Sequence, residues 1–141
     1  MEILIPADPE KEVQAELVAR YPDVGVESIP IDTKPPTSSP RPAEFIRLRA
    51  VGGPRRDITT DAFTVTLEAY ATREIRARDL CAFGVALLEA AGRDGMVGAV
   101  PCGRVLVVGV PSNLPDPTIP GHFRYSATIS VPLRRGAVQV P

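Results

Sequence analysis

Residues 44–70 read EFIRLRAVGGPRRDITTDAFTVTLEAY, and an alternating run stands on either side of the Gly-Gly-Pro. In the first run Ile46, Leu48 and Ala50 fall on one side, with Arg47 and Arg49 on the other. In the second, Phe63, Val65, Leu67 and Ala69 alternate with Thr64, Thr66, Glu68 and Tyr70. A period of two marks a half-buried strand. Pro54 presets a turn and the glycines relax it, so the stretch predicts a hairpin with a five-residue GGPRR loop. The run from Ile58 to Tyr70 is about twice the usual strand length, which predicts a bulge near Thr60-Asp61. Nothing in the hairpin is catalytic equipment. Its tip, with Arg55 and Arg56, looks built for presentation to a partner.

Upstream, Asp8-Pro9 opens a helix: Asp is a good N-cap, and Pro suits the first helical position because its missing N–H has no partner there. Val13, Leu17 and Tyr21 share one face with Val18 beside them, and Pro22 ends the helix. Residues 24–29, VGVESI, predict a short strand. Residues 30–43, PIDTKPPTSSPRPA, hold five prolines, and each removes a ladder donor. They predict an extended, partly polyproline II arm outside any sheet.

Downstream, Thr72 is the expected cap of the main helix, roughly 73–91. Leu80, Phe83, Gly84, Leu87, Leu88 and Ala91 form its apolar stripe, and Gly92 is its expected C′ residue. RVLVVGV (104–110) predicts a buried strand. A second proline-rich loop follows, at about 110–121. HFRYSATISVPLR (122–134) alternates throughout, and Pro132 places its end at an edge or a bulge. The expected fold is therefore α+β over 1–141 as one domain: a mostly antiparallel sheet packed against one long helix, with a shorter N-terminal helix beside it.

A chain of 141 residues buries roughly 68% of its unfolded surface, enough for one core without staples. Trp is absent and aromatics are 5%, so that core must be aliphatic. The net charge of −1 drives no general attraction to nucleic acid or anionic lipid. Sixteen prolines are about twice the average usage of ~5%. Lys11 and Lys34 are the only lysines; the arginine bias fits a GC-rich coding sequence, and arginine's rigid fork also suits interfaces. Cys81 and Cys102 are too few for a metal cage or a secreted disulfide framework. The N-terminus lacks the basic and apolar regions of a signal peptide, and no apolar run reaches the ~18 residues of a membrane span. A reducing cytoplasm is the expected place of maturation.

The residues offer little to reaction chemistry. Gly92, Gly95 and Gly98 follow a helix, whereas a dinucleotide fingerprint follows a strand. GVPSNLPDP (109–117) follows a strand, but its prolines block the helix that would hold an anion. Ser112, Asp116 and His122 lie close in sequence without a G-x-S-x-G elbow or evident oxyanion donors. Cys81 sits beside the apolar stripe as a packed thiol. Asp57 and Asp61 read as capping and charge-balancing the hairpin against Arg55 and Arg56. Arg47, Arg49, Arg55 and Arg56, with Arg41, make one basic neighbourhood without the interleaved aromatics of a nucleic-acid binder. It is either a solvated face or an intersubunit contact. No enzyme, cofactor or metal is expected.

VGGPRRDITTDAFTVTLEAYA, a helix ending LLEAAG, and VPSNLPDPTIPGHFRYSATISVPLRRG together resemble the tail terminator proteins of long-tailed (siphovirus-type) bacteriophages, especially those of high-GC Gram-positive hosts. The Asp-Pro helix start and the Pro-Arg-Pro before the hairpin fit too, so the resemblance covers nearly the whole chain. Ser112 and the Gly121-His122 entry to the last strand depart from the pattern. The resemblance implies a non-enzymatic virion protein of the tail and neck, assembled in the host cytoplasm. Such a protein forms a ring, commonly hexameric, that caps the tail tube, ends its polymerisation and offers a joining surface to the head connector, with DNA only passing through the lumen. Partners would be the chain itself, the tail tube protein and a head-closure protein; no membrane is implied. On this reading the interface residues are Arg47, Arg49, Arg55, Arg56 and Asp57 of the hairpin, Pro35, Pro36 and Arg41 of the arm, and Asn113 and Asp116 of the loop. The alternatives are another neck component, such as a head-closure or tail-completion protein, or a small ligand-binding or enzyme domain with 109–121 as a lid.

Overall fold

Alternation and helical stripe meet in a single aliphatic core in the computed structural model, which describes residues 1–141. The elements in order are β1 (Glu2–Ile5), α1 (Pro9–Arg20), a 3-10 turn (Tyr21–Val24), β2 (Ile31–Asp32), β3 (Glu44–Ala50), β4 (Thr60–Ala71) and α2 (Glu74–Asp94), then β5 (Met96–Val97), β6 (Val100–Pro101), β7 (Leu106–Asn113), β8 (Phe123–Arg134) and β9 (Gly136–Gln139). Five strands form the main sheet in the order β2-β3-β4-β8-β7. All its pairings are antiparallel except β2 with β3. The fold is α+β, with α2 lying across β4 and β8 and α1 beside it toward β3.

The buried row of each strand is the predicted one apart from Phe123, which is exposed at the start of β8; on α2, Val85 is buried and the predicted Phe83 and Leu87 only half-buried. Val65, Leu67 and Ala69 of β4, Ile46 and Leu48 of β3, and Ala127, Ile129 and Val131 of β8 meet Leu80, Val85 and Leu88 of α2 in one cluster. Each fully buried Val, Leu or Ile among them contributes about 1.5–3 kcal/mol. Helix α1 behaves as read. Asp8 accepts from the Lys11 N–H at 3.2 Å, and Val13, Leu17 and Tyr21 are buried. The Tyr21 hydroxyl donates to the Leu80 carbonyl at 2.7 Å, locking the two helices together.

Several boundaries differ from the expectation. Residues 24–29 form no strand: Val26 N–H bonds the Tyr21 carbonyl and Gly25 turns the chain at φ 80°. The extra strand lies instead inside the proline-rich arm, where Ile31 pairs with Ile46. It is two residues long and at the sheet edge, the place a proline-flanked strand is tolerated. Helix α2 runs three residues further than predicted. Arg73, not Thr72, is its N-cap, and Gly95 at φ 93°, not Gly92, ends it. Gly92 is buried in the helix because its missing Cβ lets the Val105 backbone approach; a Cβ there would lie 2.9 Å from the Val105 nitrogen.

The hairpin is also re-dimensioned. GGPRR is not the loop: pairing continues through it, with Ala62 N–H bonded to the Pro54 carbonyl, Arg56 N–H to the Thr60 carbonyl, and a backbone bridge between Arg55 and Asp61. The register slips by one residue between Ala50↔Val65 and Arg55↔Asp61. The bulge therefore sits at the glycines, where Gly52 has φ 90°, and not at Thr60-Asp61; glycine adopts that backbone without strain. The turn itself is Asp57-Ile58-Thr59.

The largest correction concerns β7. RVLVVGV reads as a buried run, yet β7 is the outer strand of the sheet, and Leu106, Val108 and Val110 are 52%, 67% and 72% exposed. Pro132 sits where β8 runs past the start of β7: its carbonyl accepts from Gly103, so its missing N–H faces a side with no ladder strand. Two small antiparallel ribbons, β5–β6 and β1–β9, complete the fold. No helix is long and apolar enough to cross a membrane.

Candidate interaction surface

The helices cover one face of the sheet, and the other face carries the second row of each alternation. Thr64 opposes Ser130, Thr66 opposes Thr128, and Glu68 opposes Ser126. The middle of this face is thus a hydroxyl-bearing surface.

At its end toward residues 113–121, the face is closed. Ile119 folds down onto Phe45 and Tyr70, whose rings stack at 4.5 Å, and all three are buried. Around them runs a polar network. Glu68 is 1% exposed, with Arg124 Nη1 at 3.0 Å from its Oε2 and Arg49 Nη2 at 2.9 Å from its Oε1. The Arg49 approach lacks hydrogen-bond alignment, so it is a charge contact only. The single Tyr70 proton serves either of two carboxylates, Glu68 or Asp116, each 3.0 Å from its oxygen. Burial, and then the Glu68 charge, raise the Tyr70 pKa above the ordinary phenol range. Asp116 accepts from the Thr118 hydroxyl at 2.6 Å and its N–H at 3.0 Å. The Thr118 hydroxyl, ahead of the other contacts, holds the Asp116 carboxyl below the usual range. The Arg124 Nε donates to the Leu114 carbonyl. The loop is therefore latched to the sheet by charge on one side and an aromatic seat on the other. His122 closes the seam: one ring nitrogen bonds the Pro42 carbonyl at 2.8 Å, and its ring tilts over Phe45.

The arginines read as one basic neighbourhood part company. Arg47 donates to the Thr33 carbonyl and Arg41 to the Pro36 carbonyl, so both shape the arm, where Pro35 and Pro36 are half-buried. Arg49 serves Glu68. Arg55 turns back on its own loop, donating to the carbonyls of Asp57 and Ile58 at 3.0 and 3.1 Å. Asp57 caps that loop through the Thr59 N–H at 2.8 Å, the main cause of its lowered pKa. Asp61 does not balance Arg55 or Arg56. It holds Arg135 in a two-point ion pair at 2.8 and 2.9 Å, tying the hairpin to the β8–β9 junction. Asn113 donates to Glu74 at the start of α2.

Arg56 alone of the hairpin arginines has neither an ion pair nor a side-chain hydrogen bond: Arg49 pairs with Glu68, and Arg47 and Arg55 donate to backbone carbonyls. It lies against Gly103, where a Cβ would come within 2.8 Å of its Nη1. It borders two grooves around Pro132, the first shared with Arg134 and the second with Arg104, and no carboxylate lines either. Glu68, Tyr70 and Arg124, which build the latch, and Arg104 and Arg134, which join Arg56, are residues the sequence reading did not single out for function. The Arg124-Tyr125 pair within the alternating run was the one available signal.

Elsewhere the chemistry is plain. Cys81 and Cys102 are buried free thiols whose pKa values burial raises to about 12 and about 11. No three His, Cys, Asp or Glu side chains gather as a metal site. The larger clefts, of about 800 and 700 Å³, lie between the β1–β9 ribbon and the β5–β6 ribbon, and at the foot of the arm beside the Glu44–Arg76 ion pair. No family model matches the chain, and no curated protein is significantly similar to it.

Proposed function

We propose that this chain is a structural ring subunit of a siphovirus-type virion, a tail terminator that caps the tail tube and offers the head-joining surface. The observation that carries the reading is where the resemblance-bearing stretches lie. VGGPRRDITTDAFTVTLEAYA and VPSNLPDPTIPGHFRYSATISVPLRRG are far apart in sequence, yet they pair along β4 and β8 and are latched through Tyr70, Asp116, Glu68 and Arg124. The residues of the resemblance thus build one stiff sheet with a braced edge loop, a design suited to holding a surface in place for partners. The two outer edges of that sheet differ from each other, which suits a head-to-tail ring.

The test is to add the protein to polymerising tail tubes of its own phage and measure tube length by electron microscopy. Tubes that stop at uniform length with a ring at one end are expected. Tubes that keep elongating at saturating protein refute the reading. Deletion of the gene separates the alternative: tubes of normal length that fail only to join heads point to a head-closure protein instead.

A further inference from the structure

Two surfaces of this chain are left without a counterpart, and their chemistries match. The first is the β7 edge. Its outer side has no strand neighbour, and Leu106, Val108 and Val110 stand exposed along it. An edge that is long, apolar and free of charge is an open template for another chain. Arg104 precedes it, Arg56 and Arg134 lie around the adjoining Pro132 grooves, and no acidic residue occurs between Asp94 and Asp116.

The second surface is the opposite sheet edge, β2 with the segment leading into it. It carries Asp23, Glu27 and Asp32, with no basic residue between Arg20 and Lys34. Asp23 is held by Arg20, but Glu27 and Asp32 make no ion pair. Beside them is an apolar groove of about 80 Å³, lined in part by Val18, Pro22, Val26 and Ile29. That is room for one aliphatic side chain. Val18 is 56% exposed, on the side of α1 away from the buried Val13 and Leu17.

We infer that the β7 edge of one copy docks on the β2 edge of the next, its arginines meeting Glu27 and Asp32 and its valine row meeting the Val18–Ile29 groove. The occupant is a second copy because the basic-apolar edge and the acidic-apolar edge are complementary in charge and belong to one chain. The aromatic stacking platforms of a single-strand nucleic-acid site are absent from the β7 edge, and an arginine beside exposed aliphatic residues is the composition of a protein interface. The contact is heterologous, so repetition gives a ring or a filament and never a two-fold dimer. It rests on the ring reading above only for closure.

The experiment is solution mass by sedimentation and light scattering, up to about 1 mM protein, where even weak mass-action pairing registers. Wild type should exceed the 15.1 kDa monomer mass as concentration rises. Arg56→Glu with Arg104→Glu, or Glu27→Arg with Asp32→Arg, should each weaken association by about tenfold or more. The four changes together restore the attraction in reversed sense and should recover it. Val108→Lys, at an exposed position that leaves the core intact, should abolish association with an unchanged circular dichroism spectrum. Wild type that stays monomeric throughout, Val108→Lys that associates normally, or a fourfold variant that fails to recover would each overturn the inference. Tail capping by a chain that fails this test leaves the terminator reading standing; edge pairing without capping does the reverse.

Discussion

Replacing Arg124 with methionine tests the latch most directly. Glu68 is a carboxylate with 1% of its surface exposed, and removing one partner of a buried ion pair costs about 3–5 kcal/mol because the other charge is left uncompensated. Arg49 and Tyr70 remain in contact with Glu68, so the lower end, about 3 kcal/mol, is expected. The same change frees the Leu114 carbonyl and removes a charge beside Asp116, which should loosen residues 113–121. For a chain of this size that is a fall in Tm of roughly 10 °C. The assay is urea unfolding followed by fluorescence or circular dichroism, with hydrogen exchange to locate the loosened segment. The double variant Glu68→Met with Arg124→Met removes both charges, and replacing a whole buried pair is close to neutral; it should recover most of the loss. A single variant that loses under about 1 kcal/mol, the size of an exposed pair, would refute the reasoning. So would a double variant no more stable than the single one.

Gly84→Ala tests the helix–helix contact: alanine gains about 1 kcal/mol of helix propensity, but its Cβ would lie 2.6 Å from the Tyr21 hydroxyl and 2.7 Å from Leu67 Cδ1. Overpacking costs about 1–3 kcal/mol, and strain on the Tyr21–Leu80 bond adds about 1, so net destabilisation of about 2 kcal/mol is expected by thermal unfolding. Arg135→Met leaves Asp61 unpaired at 8% exposure and should speed hydrogen exchange in β1, β9 and the hairpin turn; unchanged exchange there would show that the ion pair does not join them. The pKa of Asp116 is lowered in the folded state, so its stabilisation is present above the unfolded carboxylate value of about 3.9 and is lost as pH falls through the folded value. Asp116→Asn should therefore flatten the acid limb of the stability–pH curve, as followed by unfolding at a series of pH values.

The local pattern alone identified the strands at 44–50, 60–71 and 123–134, the two helices, and which row of each strand enters the core. Those assignments rest on periodicity, which is a property of neighbours along the chain. Boundaries slipped where a distant contact intervened: α2 continues past Gly92 because the Val105 backbone needs the space there, and the hairpin extends past GGPRR because Gly52 absorbs the bulge. What covers each face was not written locally at all. Glu68 lies on the polar row and reads as a solvent residue, yet a loop almost fifty residues away buries it. Asp61 sits among hairpin arginines and pairs with Arg135. RVLVVGV has the composition of a buried run, but composition does not state whether strands stand on both sides of it, and in this chain only β8 does, on one side. Period and propensity act over a few residues, whereas burial, ion pairing and the order of strands depend on which segments the tertiary fold brings together, and that is why the core could be read in advance and the candidate surface could not.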